Sequence, residues 1–135
     1  MAARRGVWVR VKALTREERA DIAAQCERVI ADTLKPRFLP DIRPTEFNYP
    51  VDIFGKWRAN AYSFVVRYCS GFPDNAGEEF NAPFARLDHL EECFDETRFD
   101  LMWMRHTGRW WLLYRSVSLE EALRSIATDG FFVPC

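Results

Sequence analysis

The chain has 135 residues, 48% of them hydrophobic and 15% aromatic, with a formal net charge of −1. That length fits one domain, residues 1–135, and folding hides about two-thirds of the unfolded surface, so a core forms without disulfides or metal. The aromatic content excludes disorder, the near-zero charge weighs against nucleic acid without excluding it, and no run approaches the ~20 apolar residues of a membrane span.

Sixteen of the nineteen basic residues are arginine, a side chain suited to bidentate carboxylate pairing and aromatic stacking; GC-rich coding is the simpler cause. The cysteines Cys26, Cys69, Cys93 and Cys135 include no Cys-x-x-Cys pair. The N-terminus alternates with charge and carries no apolar leader core, so a cytoplasmic chain with reduced thiols is expected.

In chain order, "VWVRVK" alternates Val7, Val9 and Val11 against Trp8, Arg10 and Lys12, which reads as an edge strand or ordered arm within residues 1–14. Thr15 and Glu18 then form a capping box, and Ile22, Cys26, Val29, Ile30 and Leu34 recur at helical spacing, which predicts an amphipathic helix. Pro36 excludes Lys35 from helical backbone and ends that helix. Prolines 36, 40, 44 and 50 mark an extended linker with Phe38, Leu39, Ile42 and Phe47 as apolar pins, and they argue against a central strand there.

Residues 51–69 read as a hairpin. Gly55 to Asn60 form its turn, and the return strand sets Tyr62, Phe64, Val66 and Tyr68 on one face against Ser63, Val65, Arg67 and Cys69. "FPDNAGEEFNAPF" is a polar loop of turn-forming residues. "FARLDHLEECF" resumes either as a strand ending near His89 or partly as a helical turn.

"FDLMWMRHTGRWWLLY" is a second hairpin. With Thr107-Gly108 as a two-residue turn, Met104 faces Trp111, Trp103 faces Leu112, Met102 faces Leu113, Leu101 faces Tyr114 and Asp100 faces Arg115; a longer turn slips these pairs by one. Both faces are apolar, whereas an antiparallel sheet usually keeps one face wet. The hairpin is therefore covered on both faces, or covered on one and adhesive on the other. Phe38, Phe47 and the N-terminal strand are the available intramolecular cover. Finally, Ser118 and Glu121 make a second capping box. Leu119, Ala122, Leu123 and Ile126 form the apolar stripe of a last helix, Gly130 ends it, and "FFVPC" packs back.

From about Phe84 onward the chain resembles a bacterial family described only as a domain of unknown function, number 3024. The likeness rests on "FDLMWMRHTGRWWLLY" followed by "SLEEALRSIATDGFF", with Trp103, Arg105, Trp110 or Trp111, Tyr114, Asp129 and Phe131/Phe132 at the matching positions. It covers about the last two-fifths of the chain, and "VIADTLKPRFLPDIRP" loosely fits the same family's opening. The polar loop around Pro73 to Asn81 and the N-terminal strand depart from the pattern. The resemblance implies no activity.

Three sets of residues are candidates for function. Lys56, Trp57, Arg58 and Asn60 gather on the expected turn, and Arg67 completes a basic cluster. An aromatic beside cations can stack a base and hold a phosphate, although a hairpin tip with Trp57 folded onto the sheet explains the same residues. Met102, Met104, Trp111 and Leu113 form an apolar face suited to a homodimer interface. Asp74, Glu78, Glu79, Asp88, Glu91, Glu92, Asp95 and Glu96 supply carboxylates for a metal-dependent hydrolase, but they lack the lysine such a core wants. His89 and Cys93 stand four apart, too few for a zinc site; no metal ligand set and no cofactor is assigned. Gly-rich phosphate loops and Gly-x-Ser-x-Gly elbows are missing.

The expected fold is α+β: an N-terminal helix, an antiparallel sheet of about four to six strands, and a C-terminal helix packed on the sheet. The expected function is a non-enzymatic binding or self-assembly module. A weak nucleic-acid or nucleotide binder using residues 56–67 and a metal-dependent hydrolase are the alternatives.

Overall fold

The computed structural model describes residues 11–129 and 132. Most of the N-terminal strand expected within residues 1–14, and most of the C-terminal tail, lie outside them. Within them, α1 (Arg16–Val29) runs through a wide helical turn (Ile30–Leu34) into α2 (Lys35–Phe38). Five strands follow: β1 (Asn48–Arg58), β2 (Ala61–Ser70), β3 (Glu79–His89), β4 (Phe99–Met104) and β5 (Trp110–Val117), and α3 (Leu119–Thr128) comes last. The sheet is an antiparallel meander in the order β1-β2-β3-β4-β5. The protein is α+β, with a helix at each end of a five-stranded sheet.

Both capping boxes form. The Glu18 N–H donates to Thr15 Oγ1 at 3.1 Å and the Thr15 N–H to Glu18 Oε1 at 3.0 Å; Ser118 and Glu121 repeat the exchange at 3.1 and 3.2 Å. Each box satisfies two of the donors that a first helical turn leaves free.

Pro36 does not end the helix. Ile22, Cys26, Ile30 and Leu34 are all buried, yet positions four apart drift about 40° per step around an α-helix. The wide turn at Ile30–Leu34 takes back part of that drift. There the Lys35 N–H bonds to the Ile30 carbonyl five residues back, and Lys35 keeps helical angles of φ −62°, ψ −46°. Pro36 thus enters at the start of a new helical segment, where its missing N–H costs nothing. The Arg37 guanidinium donates to the Ala127 carbonyl, tying α2 to α3.

β1 is an edge strand and accommodates Pro50 beside a bulge. It runs through to Arg58, so only Ala59 and Asn60 form the turn, shorter than the Gly55–Asn60 loop expected. Ala59 takes a left-handed φ of 52°. β3 begins at Glu79, inside the stretch that reads as polar loop. It carries a bulge, since Phe64 pairs with Ala85 but Val65 with Pro83. The extra residue, Phe84, turns inward beside Ala85. Pro83 is tolerated because β4 pairs only with Ala85–His89, leaving the first half of β3 unpaired on that side.

The β4–β5 turn has three residues, His106, Thr107 and Gly108. The Arg105 N–H donates to the Arg109 carbonyl at 3.0 Å, and Gly108 takes φ 81°. This is the three-residue hairpin loop with glycine at the left-handed position, and it corrects the register expected from a two-residue turn. Met104 pairs with Trp110, Trp103 with Trp111 and Met102 with Leu112. Two irregularities in β5 then restore Leu101↔Tyr114 and bring Phe99 opposite Val117. Arg115 therefore does not face Asp100. Asp100 instead lies opposite Asp88 and accepts the Ser116 N–H at 3.0 Å, with Ser116 at φ 54°.

One sheet face carries the core. Ile53, Tyr62, Phe64, Val66, Phe84, Leu87, Phe99 and Leu101 pack against Ile22, Cys26, Ile30 and Leu34 from the N-terminal helix and Ala122, Leu123 and Ile126 from α3, with Phe132 closing the cluster. The helices direct their buried residues into this layer, so among the described residues no helix covers the opposite face.

A candidate ligand-binding face

Strand alternation carries the polar residues of the sheet to that opposite face. Cross-strand pairing lines them up: Lys56 pairs with Ser63, Ser63 with Arg86, Arg86 with Met102 and Met102 with Leu112. One row therefore crosses all five strands, basic and polar on β1–β3, apolar on β4–β5. A parallel row runs Arg58, Ala61, Asp88, Asp100, and another Asp52, Arg67, Asn81.

Between these rows lies a groove of about 580 Å³, within the range of small-molecule sites. Lys56 and Arg58 edge it on β1. Ser63 and the buried Val65 form its floor, and Asn81, Arg86 and Asp88 come from β3. Trp110 reaches in from the end of the second hairpin, and Asn60 and His89 lie at the turn end.

The groove's charges divide into two sets. Arg86 is neutralised locally: its Nε and Nη2 donate to Asp88 Oδ1 and Oδ2 at 2.6 and 3.0 Å, and its guanidinium carbon stands 4.6 Å from the Trp110 ring centroid. Such a fork-to-fork pair is directional and holds the guanidinium plane. Lys56 and Arg58 are exposed and have no ion-pair partner among the described residues.

Of the five residues expected to bind a ligand, three line the groove, a fourth lies on the same face beyond it, and the fifth falls on the other face. Lys56, Arg58 and Asn60 line the groove, where the Asn60 amide donates to Glu91. Arg67 lies on the same face outside the groove, two rows from Lys56 beyond the Phe54–Val65 row, its guanidinium 5.0 Å from the Phe54 ring and its Nε donating to Asn81 Oδ1 at 3.3 Å. Trp57 falls on the other face, because β1 is still a strand there. Its Nε1–H donates to the Arg19 carbonyl at 3.1 Å, its ring meets Tyr62 edge-on at 5.4 Å, and Arg19 stacks over it. The groove's aromatic is Trp110, which the expected register set on the opposite side of the hairpin.

The four residues expected at an interface divide between faces. Met102 and Met104 share the open face with Trp110 and Leu112; Trp111 lies with Trp103 on the helix side, and Leu113 packs against the core. Arg105 stacks on Trp103 and Trp111, not on Trp110. Among the described residues the hairpin is covered on one side only. Phe38 packs with the helices, and Phe47 is exposed against Phe72, so neither shields it.

The carboxylates do not converge. Asp74 and Glu78 lie before β3, and Asp88 to Glu96 at its far end, about 30 Å away along an extended strand. His89 faces the core, edge-on to Phe99 at 5.8 Å, with neither ring nitrogen hydrogen-bonded among the described residues and its pKa pushed down by burial. Among the described residues no group of three or more His, Cys, Asp or Glu is placed to hold a metal, and no helix is long and apolar enough to cross a membrane.

Helices on one face of an antiparallel meander, with a polar and aromatic groove on the other, define an open-faced α+β protein. The sequence profile of Domain of unknown function (DUF3024) matches residues 13–134, and the chain belongs to that family. The match reaches upstream to α1, well beyond the C-terminal hairpin and helix that carried the resemblance. No curated protein and no solved structure matches the chain.

Proposed function

We propose that the protein is a non-catalytic binding module whose open sheet face takes an anionic, phosphate-bearing ligand. The observation that carries this reading is the pair Lys56 and Arg58, exposed at the edge of a groove without a carboxylate partner among the described residues. Ser63 and Asn81 supply neutral hydrogen-bonding groups inside it. The test is calorimetric titration with pyrophosphate. Charge-assisted hydrogen bonds contribute about 1.5–3 kcal/mol each before solvent screening. The Lys56→Ala/Arg58→Ala double variant should therefore bind at least about tenfold more weakly, and wild-type affinity should fall with added salt. Equal affinity for wild type and double variant would refute the assignment.

A second reading, self-association, is favoured by β5. It is an edge strand of the sheet, and Trp111, Leu112 and Tyr114 on it are 49%, 40% and 44% exposed. Bare edges carrying large apolar side chains pair readily with another strand. Sedimentation velocity across a wide concentration range should show a dimer that Leu112→Lys disperses; a concentration-independent monomer would dismiss it.

A further inference from the structure

We infer that the ligand is a nucleotide, free or as one unit of a single strand, an assignment that rests on the anion reading and names what else the groove holds. The groove has two unlike ends. At one, Lys56 and Arg58 offer charge. At the other, Trp110 lies against a guanidinium that Asp88 holds by both nitrogens. Because Asp88 already satisfies the charge of Arg86, this end attracts a second anion weakly. What it presents is a fixed planar stack, the surface on which flat heteroaromatic rings bind.

The two ends are joined by register. Lys56, Ser63 and Arg86 are consecutive members of one cross-strand row, so charge and stack stand about 10 Å apart, two strand spacings. A sugar bridges such a span between its phosphate and its base, and Ser63 lies midway, where sugar hydroxyls pass. Inorganic phosphate or a sugar phosphate uses only the β1 end; a nucleotide uses both. The apolar continuation of the row, Met102 and Leu112, gives a further base of a strand somewhere to lie.

The experiment is calorimetry on the full chain with ribose 5-phosphate, UMP, AMP and a hexamer of uridylate. UMP and AMP should bind at least about tenfold more tightly than ribose 5-phosphate, the low end of what one base-on-aromatic stack supplies. Trp110→Leu, which keeps an apolar side chain at the hairpin end, should remove that advantage, so that UMP and AMP bind no more tightly than ribose 5-phosphate does; Trp110→Phe should retain most of it. A hexamer that binds more tightly than UMP with a steeper salt dependence assigns a strand; one that binds no better assigns the free nucleotide. Equal binding of ribose 5-phosphate and both nucleotides overturns the nucleotide inference and leaves the anion reading standing. If neither ribose 5-phosphate nor a nucleotide binds, both fall.

Discussion

Gly55→Ala is the sharpest test of how the sheet is built. An added Cβ would lie 2.0 Å from the Tyr62 hydroxyl oxygen, 2.4 Å from Cζ and 2.5 Å from Cε1. Gly55 has ordinary backbone angles, so the effect is purely steric. Tyr62 cannot yield: it is 1% exposed and wedged edge-on between Trp57 at 5.4 Å and Phe64 at 5.5 Å. Overpacking of this kind costs about 1–3 kcal/mol, while alanine returns roughly 0.4–1 kcal/mol by restricting the unfolded chain. The net expectation is a loss of about 1.3 kcal/mol, or roughly 5 °C in Tm for a chain of this size. The Tyr62 hydroxyl is buried without a hydrogen-bond partner among the described residues, and burial pushes its pKa up. Tyr62→Phe should therefore be neutral or stabilising on its own, and should recover part of the Gly55→Ala loss. Urea denaturation of the four proteins in the cycle measures that coupling. If Gly55→Ala unfolds within about 0.5 kcal/mol of wild type, or if Tyr62→Phe gives no recovery, the close approach of β1 to the Tyr62 ring is wrong. Lys56 is the next residue along, so a shifted β1 should also weaken pyrophosphate binding.

Ala59→Gly should stabilise by about 0.5 kcal/mol, because alanine at φ 52° carries a left-handed penalty that glycine escapes; thermal unfolding reads it directly. Thr15→Ala and Ser118→Ala should each cost about 1 kcal/mol through the lost cap, with the two effects adding in the double variant. His89 is held neutral by burial, its folded pKa below the ordinary 6.5, against the opposing fields of Glu91, Glu18 and Glu92 and the reinforcing field of Lys12. The unfolded chain therefore binds the extra proton first. The His89 contribution should be intact above pH of about 6.5 and lost as pH falls below it. His89→Phe should flatten that part of the stability profile in urea titrations across pH 7.5 to about 5.

Much of the fold was legible because its signals were local. Two capping boxes announced both long helices, and the alternation of Tyr62, Phe64, Val66 and Tyr68 marked β2 and its buried face. What escaped was whatever depends on one inserted residue. A bulge at Phe84 hides half of β3 inside an apparently polar loop, and a third turn residue, His106, moves Trp110 to the Met102/Met104 side of the hairpin and Trp111 to the Trp103 side. Pro36 was read as a stop because a wide turn upstream cannot be seen in side-chain spacing. The site was legible to the same degree. Lys56, Arg58, Asn60 and Arg67 stood out as a basic cluster. Of the two readings of Trp57, base stacking and folding down on the sheet, the structure shows the second, because β1 continues through it and turns it to the core face. Arg86 and Asp88, two apart in "RLD", already carried the sign of a same-face pair.

The meander has a kinetic consequence. Every strand is bonded to its immediate predecessor, so the sheet grows by adding one hairpin at a time, with only short loops to close. The exception is the packing of α1 on α3, which joins the first described element to the last. Docking of the two helices is thus the step that must wait for the whole chain, and it couples the ends of the molecule through the buried face while the groove side is already assembled.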